Sequence, residues 1–172
     1  MPARTKPPID YGRALLEAWA TNERVNQFLL ENLDDALWRA DPPEGLGRTI
    51  AAIVTHMHNV RHMWLTVSAK DVDAPPKLDR AKATRKEAMA ALAKSSAAMT
   101  KLLEGAIAAG GHVKEFKPDI VAFFAYAAGH EAHHRGQIAM MSRLMGKKLP
   151  DGVNYGMWDW RARWKEAGFG SE

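Results

Sequence analysis

Apolar residues recur at three- and four-residue intervals through four segments of the chain, and sustained alternation is absent, so the pattern predicts an all-α protein built as a four-helix bundle. The first helix is expected from about Asp10 to Leu33, where Leu15, Trp19, Asn22, Asn26, Leu29 and Leu33 share one stripe. It stops before Asp41-Pro42-Pro43. The second starts with Thr49 as N-cap, turns Ile50, Ile53, Val54, Met57, Val60, Trp64 and Val67 inward, and ends near Ala69. A stretch of roughly 15 residues containing Pro75-Pro76 follows, long enough to cross from one end of a bundle to the other. Such a crossover implies parallel neighbours. Thr84 and Glu87 form a T-x-x-E capping box ahead of the third helix, which carries its Ala, Met and Leu run through Leu103 and meets its stop at Gly110-Gly111. The fourth opens after Pro118 with Asp119 as N-cap and closes near Gly146. A short helical tail from Tyr155 to Lys165 completes the chain, and strand signals are confined to His112–Phe116.

The 172 residues fit one domain, with residues 1–9 read as a flexible N-terminal arm. That size supports a core without covalent staples, so any bound metal is expected to be functional. Cysteine is absent, which removes disulfides, thiolate zinc sites and cysteine nucleophiles together and leaves histidine and carboxylate as the good metal ligands. No apolar run reaches the roughly 18 residues of a membrane span, and the start MPARTKPPIDYG lacks a signal-like apolar stretch, so a cytoplasmic, membrane-free protein is expected. The net charge of +4 is spread along the chain. Arg80, Lys82, Arg85 and Lys86 make the densest basic patch but have no interleaved aromatics, so it reads as a solvated loop and helix start and no nucleic-acid partner is expected.

Seven histidines are present, six of them in HMHNVRH on the second helix and HEAHH on the fourth. Helical projection sorts them. On the fourth helix His134 lies about 40° from His130 and both share the arc of Phe123, Ala127, Met141 and Met145, while His133 falls about 60° to the other side. Glu131 and Arg135 project toward the outer flank. On the second helix His56 lies inside the apolar arc, His62 faces nearly opposite its centre, and His58 sits at its far edge as the reserve. His56, His130 and His134 are therefore the nominated metal ligands. Three neutral imidazoles leave open coordination positions on a cation. Zinc or nickel suits them best, and iron, copper or cobalt would also fit. Gln137, in the same arc, is placed to bind a metal-bound water or to hydrogen-bond a ligand histidine, and it counts among the expected substrate-pocket residues. Glu131 is the general base suggested by analogy with H-E-x-x-H, and Trp19, Asn22, Asn26 and Trp64 are placed to line a substrate pocket.

Three segments, THMHNVRHMWL, SSAAMTKLL and HEAHHRGQI, together with the aromatic tail YGMWDWRARW, carry a family likeness over essentially the whole chain. The chain resembles the DinB/YfiT-like family. The resemblance implies a four-helix bundle in up-down-down-up order and a divalent metal held at the positions of His56, His130 and His134. Relatives commonly form homodimers. Some transfer low-molecular-weight thiols, such as bacillithiol, mycothiol or glutathione, or isomerise substrates with one. A metal-dependent thiol transferase or hydrolase acting on a small molecule is thus one expectation. A non-catalytic metal- or small-molecule-binding bundle involved in stress response is the other.

Overall fold

The computed structural model describes residues 8–45 and 47–170, and among them every regular element is helical. Four long helices, α1 (Tyr11–Glu31), α2 (Ile50–Ser68), α3 (Arg85–Ala108) and α4 (Ile120–Leu144), are followed by two short ones, α5 (Asp151–Gly156) and α6 (Trp160–Glu166). Of the expected N-terminal arm, residues 1–7 lie outside the described residues, while Pro8 and Ile9 are exposed and belong to no helix.

Each long helix starts at a side-chain cap that satisfies otherwise orphaned backbone N–H groups. Asp10 accepts from Arg13 N at 3.0 Å, Thr49 from Ala52 N at 3.2 Å, and Asp119 from Val121 N and Ala122 N. Thr84 and Glu87 close the expected capping box reciprocally. α1 ends two residues earlier than its apolar stripe suggests, because Asn32 takes the C-cap and its Nδ2 donates to Phe28 O at 2.8 Å. Leu33 is nonetheless buried. α3 stops at Gly110 and Gly111, both at positive φ, where the Gly111 N–H reaches back to Ala106 O at 2.8 Å. The strand-like stretch after it is not a strand. Phe116 N donates to Val113 O at 3.2 Å in a turn, and Val113 is buried in the core.

Buried apolar side chains fall into two clusters, one at each end of the bundle. One joins Leu29 and Leu30 of α1 and Leu33 just beyond it, Ile50, Ile53, Val54 and Met57 of α2, Ala88 and Leu92 of α3, and Ile138 of α4. The other joins Trp19, Leu65, Met99, Leu102, Leu103, Ile120 and Phe123. Between them each of the four long helices buries polar residues: Asn22, Glu23 and Asn26 on α1, Arg61 on α2, Ser95 on α3, and Glu131 and His134 on α4. A charged layer thus separates two hydrophobic ends. The helix pairing is visible in contacts across the same layer. Trp19 Nε1 donates to Ser96 O at 3.2 Å and Gln27 Nε2 to Met89 O at 3.0 Å, while Arg61 donates to Leu92 O at 2.8 Å.

The crossover between α2 and α3 is tied down by three polar residues of α2. His58 Nε2 lies 2.9 Å from Pro76 O and His62 Nδ1 2.8 Å from Pro75 O. Asn59 donates to Leu78 O and accepts from Leu78 N, both at 3.0 Å. His58 and His62 were expected at the edge and on the outside of the helix. The covering segment changes that, and His58 is fully buried. The tail divides in two because Asp159 caps a new helix by accepting from Ala162 N at 3.0 Å. α6 packs on α1 through the Arg163 guanidinium, 3.7 Å from the Phe28 ring centroid, and a Trp164 Nε1 bond to Glu17 at 2.9 Å.

Candidate metal centre

His56 stands on α2 in its second turn, and His130 and His134 stand one turn apart on α4, so two packed helices bring three imidazoles to one place. His130 Nε2 lies 3.3 Å from His56 Nε2 and 3.1 Å from His134 Nε2. Two imidazole nitrogens bound at about 2.0–2.1 Å to one tetrahedral ion sit about 3.3 Å apart, so the spacing is that of ligands sharing a cation. The three rings meet edge to face, with centroids 4.5–5.2 Å apart. Gln137 Oε1 accepts from His134 Nδ1 at 2.7 Å, which leaves the lone pair on Nε2 aimed at the other two rings.

Burial and the neighbouring His134 and His56 push the His130 imidazole down to about 4. Burial, with His134 and Arg48, lowers His56 as well, and burial lowers His134 despite the opposing bond from Gln137. All three are therefore neutral at neutral pH, the form that ligates a metal.

Glu131 and Arg135 do not project to the outer flank. α4 packs against α1 as well as α2, so the face about 100° from His130 is also an inner one. The Glu131 carboxylate is fully buried, accepts from Arg61 Nε at 2.6 Å and Nη2 at 2.9 Å, and takes the amides of Asn22 and Asn26 at 2.6 and 2.7 Å. Arg61 also binds Glu23 at 2.7 Å, and Arg135 donates to the Asn22 and Asn26 oxygens at 2.9 and 2.6 Å. Burial alone would raise the Glu131 carboxyl, but Arg61 beside it and the hydrogen bonds from Arg61 and Asn26 hold it below its ordinary value.

Of the expected pocket residues, Asn22 and Asn26 thus belong to this buried layer, and Trp19, wholly buried, lies under the Arg61 guanidinium at 4.9 Å. Trp64 sits in an aromatic group with Phe116, Phe123 and Tyr126, and the Tyr126 ring in turn stacks on His130 with centroids 6.2 Å apart. Gln137 and the exposed His133 line a hollow beside the cluster, together with Arg48, Ile53, Met140 and Met141. Sequence reasoning passed over Arg61, although it occupies an inward position four residues after Met57 and four before Leu65. Its charge masked its place in the stripe. Arg48 carried no periodic signal, because it lies in the loop before α2.

The structure is a helical bundle in which two facing helices bring together a histidine trio that could hold a metal ion. The DinB family model matches residues 1–166, and the chain belongs to the DinB family. Comparison with curated proteins and with solved structures gave no match.

Proposed function

We propose that the chain holds one divalent metal ion through His56, His130 and His134 and uses it as a metal-dependent enzyme of the thiol transferase or hydrolase type. The observation that carries the reading is the convergence of three Nε2 atoms at 3.1 and 3.3 Å, with the tautomer of His134 set by Gln137. Family membership supports it. Zinc or nickel fits an all-imidazole set best. A bound divalent cation supplies Lewis acidity, which makes a weak nucleophile such as water or a thiol reactive near neutral pH. His133 and Gln137 line the approach, and Glu131, engaged by Arg61, Asn22 and Asn26, holds α4 in place instead of acting as the base. That engagement of Glu131 is also what favours the second reading, a bundle that binds metal or a small molecule without turnover.

The bundle order in this reading is up-down-down-up, supported by numbering that rises along α1 as it falls along α3 and rises together along α2 and α3. The chain is proposed to act as a cytoplasmic homodimer, as the family resemblance implies. No helix among the described residues is long and apolar enough to cross a membrane. Sedimentation equilibrium should give twice the chain mass of 19.1 kDa, and a monomer at micromolar concentration would remove the dimer from this reading.

The test is elemental analysis of untagged protein with a panel of thiol-transfer and hydrolysis assays on the wild type and His134→Ala. Stoichiometric metal in the wild type, lost together with activity in the variant, is expected, because two imidazoles hold a divalent ion far more weakly than three. Full activity in a metal-free His134→Ala protein would sink the metal mechanism. Metal uptake without turnover would select the binding-protein reading.

A further inference from the structure

Two hollows of different chemistry flank the histidine trio and meet at one residue. The first, about 780 Å³, has an apolar floor of Ile53, Ala132, Met140 and Met141, with Gln137 and His133 on the side of the cluster. Its volume lies in the range of about 300–1,000 Å³ common for small-molecule sites. The second, about 370 Å³, is lined by His56 itself and by Arg48 and Arg80. Arg48 borders both.

Neither arginine has a hydrogen bond or ion pair among the described residues, and the one carboxylate lining the second hollow, Asp79, is turned to Lys82 and to the Ala81 N–H. Arg80 is nevertheless held near α2, since Asn59 fixes Leu78, two residues earlier, by both of its amide atoms. Arg48 stands close enough to the cluster for its charge to act on His56 and His134. On the apolar side the floor is kept open by Gly136, a glycine inside α4 that no packing demands: a Cβ added there would meet nothing within 4 Å. Glycine within a helix costs about 1 kcal/mol relative to alanine, and here its effect is to leave the hollow unfilled.

We propose that the site takes a small amphiphilic acid, with its carboxylate on the guanidinium groups of Arg48 and Arg80 and its apolar body along Met140 and Met141, so that the molecule lies across the histidine trio. Arginine is suited to this task because its planar fork matches a carboxylate. The proposal rests on reading the trio as the functional centre, but the arginines and the apolar floor bind the acid without requiring a metal.

Octanoate, octan-1-ol and acetate are titrated calorimetrically into the full-length protein, both metal-free and zinc-loaded. Octanoate is expected to bind both forms, and the alcohol and acetate about tenfold more weakly or worse, since each offers only half of the recognition. Exchanging Arg48 and Arg80 together for Ala should weaken octanoate about tenfold while leaving octan-1-ol unchanged. Gly136→Leu, whose Cβ enters open space and whose side chain is to fill the floor, should weaken octanoate and octan-1-ol alike, by about tenfold. Equal affinity for octanoate and octan-1-ol, undiminished octanoate binding in the double arginine variant, or no octanoate binding to either form would each overturn the proposal. A wild type that binds octanoate but takes up no metal would overturn the metal reading and leave this one standing.

Discussion

At the scale of single residues, the two histidine-rich motifs divide their labour. In HMHNVRH, His56 faces His130 and His134, while His58, Asn59 and His62 hold the crossover and Arg61 anchors the buried charges. In HEAHHRGQ, His130 and His134 join His56, Glu131 and Arg135 enter the layer, and Gln137 orients His134. The role given to Glu131 has a measurable consequence. Removing it leaves the buried Arg61 with Glu23 as its remaining carboxylate and the amides of Asn22 and Asn26 without their acceptor, so Glu131→Ala should lower unfolding stability by about 3 kcal/mol in urea titration. Folded Glu131→Ala protein should still take up metal, because none of the three ligands is touched. Unchanged stability with lost turnover would instead restore Glu131 as the base. The meeting of His56, His130 and His134 was readable in advance because direction selects inward residues: on α4, about 40° separates His130 from His134. The layer was not, because a helical projection gives the direction of a side chain and says nothing of what packs there. Glu131 and Arg135 were read as outward for that reason, and α1 covers them.

Among the elements, the four long helices were legible from caps and periodicity, and Asp10, Thr49, Thr84 and Asp119 all cap where the sequence placed helix starts or within a residue of them. Short-range chemistry fixes those ends. The tail and the stretch after α3 were harder to read, since each is settled by contacts distant in sequence, such as Trp164 on Glu17 and Val113 in the core. The crossover belongs with them, because nothing in its own composition shows that α2 grips it. Its grip can be tested at Asn59. Two amide bonds are lost in Asn59→Ala, each worth about 0.5–1.5 kcal/mol. Faster cleavage within residues 70–83 under limited proteolysis is expected, with metal content unchanged. Cleavage at the wild-type rate would show that His58 and His62 suffice.

For the whole molecule, the important division is not between helices but across them, where two apolar clusters are held apart by one polar layer. The histidine cluster lies beside that layer, His134 being one of its buried members. A bundle packed throughout with Leu, Ile and Ala has little to stop a helix from sliding by one turn, about 5.4 Å, since one aliphatic side chain replaces another. Charges cannot slide. Displaced by a turn, Arg61 would leave Glu131 and Glu23 for hydrocarbon, so the layer acts as the zero mark on a ruler shared by α1, α2 and α4. A bundle carrying Arg61→Met, Glu131→Leu and Glu23→Leu together should therefore stay folded, with heat resistance no lower than that of the wild type, yet lose its unique alignment. Broad amide resonances and weakened zinc uptake would report this, and sharp spectra with wild-type uptake would show that the aliphatic ends alone keep the helices aligned.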